Sequence, residues 1–120
     1  MKTLSVAVVD DEAPVRVALR RLLRLADYSV ATFESGEEFL ASLGIAQPAC
    51  VLLDVHMPGL TGFDVNARMK AANISVPVVF ITASDALDVE QSAHFAGAQL
   101  LRKPFSNDAL LAAVAAAMHP

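Results

Sequence analysis

The chain has 120 residues, a length that suits one domain with a single hydrophobic core. Hydrophobic residues make up 55% of it and charged residues 18%, which excludes an intrinsically disordered chain, and no apolar run is long enough to cross a bilayer. The net charge of −4 argues against direct nucleic-acid binding. Because Cys50 is the single cysteine and no secretory leader is apparent, we expect a cytoplasmic protein.

The first third of the chain alternates apolar runs with helical patterns. Ser5 to Asp10 predicts the first strand, and Glu12-Ala13-Pro14 begins a helix, since proline is tolerated in the first turn. Tyr28 to Phe33 predicts the second strand. Ser35-Gly36-Glu37-Glu38 is a capping-box pattern that begins a second helix, which ends near Leu43-Gly44.

The same alternation continues through the middle of the chain. Ala49 to Leu53 predicts a third strand, whose fully apolar composition favours a central place in the sheet, and Asp54 follows it directly. Thr61 with Asp64 is expected to cap a third helix. Pro77 to Ile81 predicts the fourth strand.

Two more helices and one strand complete the pattern. Asp85 and Asp88 indicate the start of a fourth helix, and Gly97 indicates its end. A short fifth strand, Ala98 to Leu101, precedes a final helix that begins at Ser106 or Asn107 and runs to about Met118. The first helix also carries arginine every fourth residue, typical of a solvated face or a docking surface: Arg16, Arg20 and Arg24.

Strands separated by helices are expected to be parallel, and parallel strands end along one edge of the sheet, where ligands bind. Asp10, Asp11, Asp54 and Thr82 should therefore meet in one crevice, with Lys103 beside them. Two carboxylates roughly 5 Å apart repel by about 3 kcal/mol at an effective dielectric near 20, so either one is protonated or a cation joins them. Mg²⁺ suits such a site best, with Mn²⁺ as a substitute. The lysine is also compatible with plain charge balance.

Taken together, these motifs resemble the response-regulator receiver domain of two-component signalling. The matching segments are Val9-Asp10-Asp11-Glu12, Leu53-Asp54 followed by Met57-Pro58-Gly59 and Gly62, Ile81-Thr82-Ala83, and Lys103-Pro104-Phe105. The resemblance covers residues 1–120 and is strongest to the receivers of FixJ- or NarL-like transcription regulators. It implies an α/β fold: a doubly wound five-stranded parallel sheet of order 2-1-3-4-5, in a flavodoxin-like (βα)5 three-layer sandwich.

The resemblance also implies roles at the crevice. Asp54 would accept a phosphoryl group from a histidine kinase or a phosphotransfer protein, and a carboxylate can form such an aspartyl phosphate. Asp10, Asp11, Asp54 and the backbone carbonyl of His56 would hold Mg²⁺. The side chains of His56 and Ser84 would tune the rate of phosphate loss.

A conformational switch is the function that the resemblance implies. Lys103, aimed by a cis peptide bond to Pro104, would pair with the phosphoryl oxygens, and Thr82 would move to hydrogen-bond them. The face of the fourth helix, fifth strand and fifth helix would then shift, promoting homodimerisation and an output, transcription through a DNA-binding domain outside this chain. Such a protein is a switch and not a turnover enzyme, because it catalyses only its own phosphotransfer and dephosphorylation.

One position of the chain departs from the pattern of the receiver family. Leu100 stands where the family has Tyr or Phe, and the segment from Gly97 to Lys103 is one residue short, so the aromatic part of the switch is in doubt.

A haloacid-dehalogenase-type phosphatase would need a second Asp where Glu12 stands. A pure interaction module would have lost its acidic residues, and a flavodoxin would have a Ser/Thr/Gly-rich phosphate loop after the first strand.

Overall fold

The structure is a computed structural model and describes residues 3–83 and 98–118. Its five strands are β1 (Ser5–Val9), β2 (Ser29–Phe33), β3 (Cys50–Asp54), β4 (Val78–Thr82) and β5 (Gln99–Arg102). The helices in the described residues are α1 (Ala13–Leu25), α2 (Gly36–Ser42), α3 (Gly62–Ala71) and α4 (Asn107–Met118). The predicted fourth helix, residues 85–97, and Ser84 lie outside the described residues, so α4 is the fifth helix of the sequence prediction.

The strands form one parallel sheet in the order β2-β1-β3-β4-β5, which confirms the predicted fold class. All five residues of β3 are buried, as are all five of β4. Strands of this kind need cover on both faces, because every side chain is removed from water. The central place predicted for the third strand is therefore confirmed.

Alternate side chains of each strand point to opposite faces of the sheet and build two separate hydrophobic cores. On one face, Val51 and Leu53 pack with Phe39 of α2 and Val65 of α3. On the other face, the core is built from α1, α4 and the remaining strand positions: Leu19, Leu23, Cys50, Leu52, Leu110 and Val114. Helices thus cover both faces, which gives the predicted three-layer sandwich.

Side chains that accept backbone hydrogen bonds mark the starts of three helices. Ser35 Oγ accepts from the amide of Glu38 at 3.1 Å before α2. Thr61 and Asp64 form a complete capping box before α3, with bonds of 3.1 and 3.0 Å. Of the two residues predicted to cap the last helix, it is Ser106 whose Oγ accepts from the amide of Ala109, at 3.0 Å.

The predicted strand boundaries were wrong by about one residue. Asp54 and Thr82 do not follow their strands but end them, because the ladder continues through the pairs Asp54–Ile81 and Thr82–Arg102. Asp10 lies just after β1, since the pairing of β1 with β3 stops at Val9. The direction of each strand and the edge at which it ends are as predicted.

None of the helices within residues 3–83 and 98–118 has the length and apolar character needed to cross a membrane.

Candidate functional site

Three polar side chains are buried at the carboxyl edge of the sheet. Asp10, Asp54 and Thr82 are 1%, 5% and 0% exposed, and they are the only polar or charged side chains that are buried in the described part of the chain. They stand at the ends of β1, β3 and β4, which are neighbours in the sheet. Three of the residues predicted to line the crevice, Asp10, Asp54 and Thr82, therefore lie at the ends of neighbouring strands.

The two carboxylate oxygens of Asp10 have different surroundings. Its Oδ1 accepts a hydrogen bond from the amide of Glu12 at 2.9 Å. Its Oδ2 lies 3.6 Å from Nζ of Lys103 but accepts no hydrogen bond within the described residues. A buried carboxylate oxygen without a donor is costly, so this atom is suited to a cation.

The carboxylates of Asp10, Asp11 and Glu12 have oxygens that all lie within 4.8 Å of one another. The structure thus brings together two of the predicted metal ligands and adds Glu12, which the sequence prediction did not include. Asp54, predicted as a further ligand, is not a member of this group. A third consecutive acidic residue was the signal for Glu12, but only the turn after β1 brings its carboxylate next to the other two.

Asp54 has a perturbed acid–base equilibrium. Burial, followed by the negative charge of Asp10, raises its pKa from 3.8 to about 6, while the charge of Lys103 and a hydrogen bond from the amide of His56 act in the opposite direction. That amide lies 3.3 Å from Oδ1 of Asp54. Asp54 is therefore electrostatically coupled to Asp10 and Lys103, as a shared site requires.

The loop after β3 is held close to Asp54 by its own backbone. Gly62 donates its amide hydrogen to the carbonyl of Val55 at 3.1 Å, and a Cβ on Gly62 would lie 2.7 Å from the backbone oxygen of Asp54. Leu60 donates to Oε1 of Glu37, in α2, at 3.4 Å. This contact of Glu37 could not be predicted, because no local pattern relates an exposed residue of α2 to the loop after β3.

Lys103 follows β5 and faces the crevice. Its peptide bond to Pro104 is cis, as the resemblance implied, and its amide donates to the carbonyl of Thr82 at 2.8 Å. Leu100, the departure from the family pattern, pairs with Phe80 and packs against the core covered by α2 and α3. An aliphatic side chain therefore fills the position at which the family has an aromatic ring.

One arginine of the predicted stripe contacts the crevice. Arg16 donates from Nη1 to the backbone carbonyl of Asp10 at 2.7 Å, and its Nη2 lies 3.9 Å from Oε2 of Glu34. Arg20 and Arg24 are exposed, as expected for a solvated face. The sequence prediction assigned all three residues to one face and missed this contact.

The fold and the acidic crevice define a doubly wound α/β domain with carboxylate side chains at the carboxyl edge of its sheet. Residues 6–115 match the family model of the response regulator receiver domain, and the chain therefore belongs to that family. Its receiver domains are signalling switches of two-component systems and not conventional enzymes. The predicted family is confirmed.

Two curated relatives are transcription regulators. The DNA-binding transcriptional regulator NtrC of Salmonella typhimurium strain LT2 is 39% identical over 108 residues, which are 89% of this chain and 23% of that protein. The transcriptional regulatory protein FixJ of Bradyrhizobium diazoefficiens is 36% identical over 112 residues, which are 92% of this chain and 55% of that protein. The chain thus spans about a quarter to about half of these relatives.

A solved structure agrees with the fold over nearly the whole chain. The response regulator receiver protein from Burkholderia phymatum superimposes with a TM-score of 0.84 at 45% sequence identity. The superposition covers 98% of this chain and 95% of that one. The architecture described above is therefore that of a receiver domain.

Proposed function

We propose that residues 1–120 form a phosphoacceptor receiver, which takes a phosphoryl group on Asp54 from a histidine kinase or a phosphotransfer protein in a Mg²⁺-dependent reaction. One observation carries the proposal: Asp10 and Asp54 are buried together beside Lys103, and Oδ2 of Asp10 accepts no hydrogen bond within the described residues. A site of this composition is suited to a cation and an anionic group together.

The residues at the crevice fit Mg²⁺. The carboxylates of Asp10 and Asp11 are hard oxygen ligands, and Asp54 with the backbone carbonyl of His56 would complete the set. Glu12 stands close enough to add negative charge to the same site. When bound, the ion neutralises charge on the oxygens of the transferring phosphoryl group.

Asp54 would act as the nucleophile. A bond forms between a carboxylate oxygen of Asp54 and phosphorus as the bond from phosphorus to the imidazole nitrogen of the donor breaks. The electron pair stays on that nitrogen, which then takes up a proton. Because the pKa of Asp54 is about 6, its carboxylate is largely ionised at neutral pH and available for attack.

The phosphorylated state would differ from the free state chiefly in charge. A phosphoryl group adds about −1.5 to −2 of charge and several strong hydrogen-bond acceptors. Lys103, now 3.6 Å from Asp10, and Thr82, at the end of β4, would be the side chains that respond. NtrC and FixJ are transcription regulators longer than this chain, which supports an output through a DNA-binding domain outside it.

Intact-mass measurement tests the acceptor directly. The wild type is incubated with a small-molecule phosphodonor such as phosphoramidate and Mg²⁺, beside Asp54→Asn and the control Asp27→Asn, which removes an exposed carboxylate. We expect one phosphoryl group on the wild type and the control, none on Asp54→Asn, and none with a chelator. Modification of Asp54→Asn would place the acceptor elsewhere, and a wild type that neither reacts nor binds Mg²⁺ would favour a pure interaction module.

A further inference from the structure

Arg16 reaches from the first turns of α1 back to the start of the acidic loop. Its Nη1 donates to the backbone oxygen of Asp10 at 2.7 Å, a short distance typical of a charge-assisted hydrogen bond. The Arg16 side chain is 18% exposed, whereas that of Glu34, 3.9 Å from Nη2, is 69% exposed. The bond to Asp10 is therefore the better shielded of the two contacts and the stronger one.

The backbone around Asp10 is held at three places. Its amide donates to the carbonyl of Phe33 at 3.1 Å, its carboxylate accepts from the amide of Glu12, and its carbonyl accepts from Arg16. Because the peptide between Asp10 and Asp11 is planar, fixing its oxygen fixes the position from which the Asp11 backbone continues. The position of the Asp11 Cα atom, from which its exposed side chain extends, therefore depends on the carbonyl that Arg16 holds.

We infer that Arg16 is a positioning residue, which holds the Asp10–Asp11 peptide so that both carboxylates face one cation site. The inference rests on the proposed function, since it concerns the same Mg²⁺ site. Arg16 would contact neither the ion nor the phosphoryl group, because its guanidinium is bound to the backbone oxygen of Asp10. It acts through a backbone oxygen, and groups that hydrogen-bond around a metal ligand commonly set that ligand's orientation.

Charge alone predicts the opposite effect, which makes the inference testable. The guanidinium is positive and lies beside the acidic loop, so it repels a cation, and its removal should strengthen cation binding if it acts only through charge. Loss of positioning should weaken binding. Arg20 is the matched control, since it is exposed, lies one turn further along α1 and carries the same charge.

The experiment is a titration of the full chain with MgCl₂, followed by amide NMR, for the wild type, Arg16→Gln and Arg20→Gln. We expect Arg16→Gln to bind Mg²⁺ about 10-fold more weakly than the wild type. Arg20→Gln should bind as the wild type does, or slightly more tightly. Equal affinity of Arg16→Gln and wild type, or the same change in both variants, would overturn the inference.

Two further measurements keep the test decisive. Amide spectra without Mg²⁺ establish that each variant is folded, and if Arg16→Gln is not, Arg16→Lys takes its place. The single ammonium of lysine keeps the charge but not the two-nitrogen geometry of the guanidinium. We then expect weaker binding of Mg²⁺ than in the wild type, and wild-type affinity would count against the inference. If the wild type itself bound no Mg²⁺, the proposed function would be refuted. That result differs from weaker or unchanged binding by the variants, which tests the role of Arg16.

Discussion

Asp54 is a side chain whose ionisation opposes folding. Its pKa is about 6 in the folded chain against 3.8 for an ordinary aspartate, so between these values the folded state binds more protons than the unfolded state. The contribution of Asp54 to the free energy of unfolding should therefore fall as pH rises from about 4 to 6 and then level off. At neutral pH the ionised carboxylate costs the fold roughly 2–3 kcal/mol.

Asp54→Asn should thus stabilise the domain by about 2 kcal/mol at pH 7.5, because the amide carries no charge. Urea unfolding of both proteins from pH 4 to pH 7.5 measures this, and the difference should shrink towards pH 4. The exposed Asp27→Asn serves as control. A difference that is independent of pH would contradict the assignment of the effect to ionisation.

Substitution of Gly62 measures how closely the start of α3 approaches the backbone of Asp54, the candidate phosphoryl acceptor. Alanine at this position would put a Cβ 2.7 Å from the backbone oxygen of Asp54, so we expect Gly62→Ala to destabilise the domain by about 2 kcal/mol. Nothing lies within 4 Å of a Cβ on Gly44, and Gly44→Ala should be neutral or slightly stabilising. Thermal unfolding distinguishes the two, and equal effects would refute the close approach.

At the scale of single elements, α3 depends on its capping box. The helix has 10 residues, and Thr61 and Asp64 satisfy backbone donors at its start. We expect Thr61→Ala to lower the free energy of unfolding by about 1 kcal/mol, since it removes the hydroxyl that accepts from the Asp64 amide.

Thr61→Ser keeps that hydroxyl and should retain most of the stability. Urea unfolding measures both variants, and hydrogen exchange of the first α3 amides shows whether the loss is local to the helix start. If the serine variant lost as much stability as the alanine variant, the cap would not be the cause.

Most elements could be predicted because their signals are local. The residues Cys50 to Leu53 are all apolar, which is enough to indicate a buried strand. Ser35 and Thr61 were recognised as caps from their own side chains and their spacing to Glu38 and Asp64. The predicted ends of the strands differed from the observed ends by one residue. A strand ends where its neighbour stops pairing with it, and that depends on the neighbouring strand.

At the scale of the whole molecule, we predict homodimerisation on phosphorylation, through the face of the fourth predicted helix, β5 and α4. The phosphoryl charge would act on Thr82, which pairs with Arg102 of β5, and on Lys103, which directly follows β5 in the chain. Sedimentation with Mg²⁺ and beryllofluoride, a phosphoryl mimic, should show a dimer, whereas the same protein without the mimic should be a monomer.

Asp54→Asn is the control for this prediction, since it removes the carboxylate to which the mimic would attach. It should sediment as a monomer under both conditions. A wild type whose sedimentation is unchanged by the mimic would refute the predicted dimer while leaving phosphoacceptance by Asp54 intact, because the mass measurement tests that step separately.

The sequence by itself determined which segments are strands and helices and which edge of the sheet is acidic, since those follow from local patterns and from the direction of parallel strands. The tertiary structure alone decided the contacts around that edge. It brings Glu12 beside Asp10 and Asp11, the guanidinium of Arg16 onto a backbone oxygen, and Glu37 onto the loop after β3. These contacts depend on how loops turn and which rotamers pack, and no local pattern encodes either.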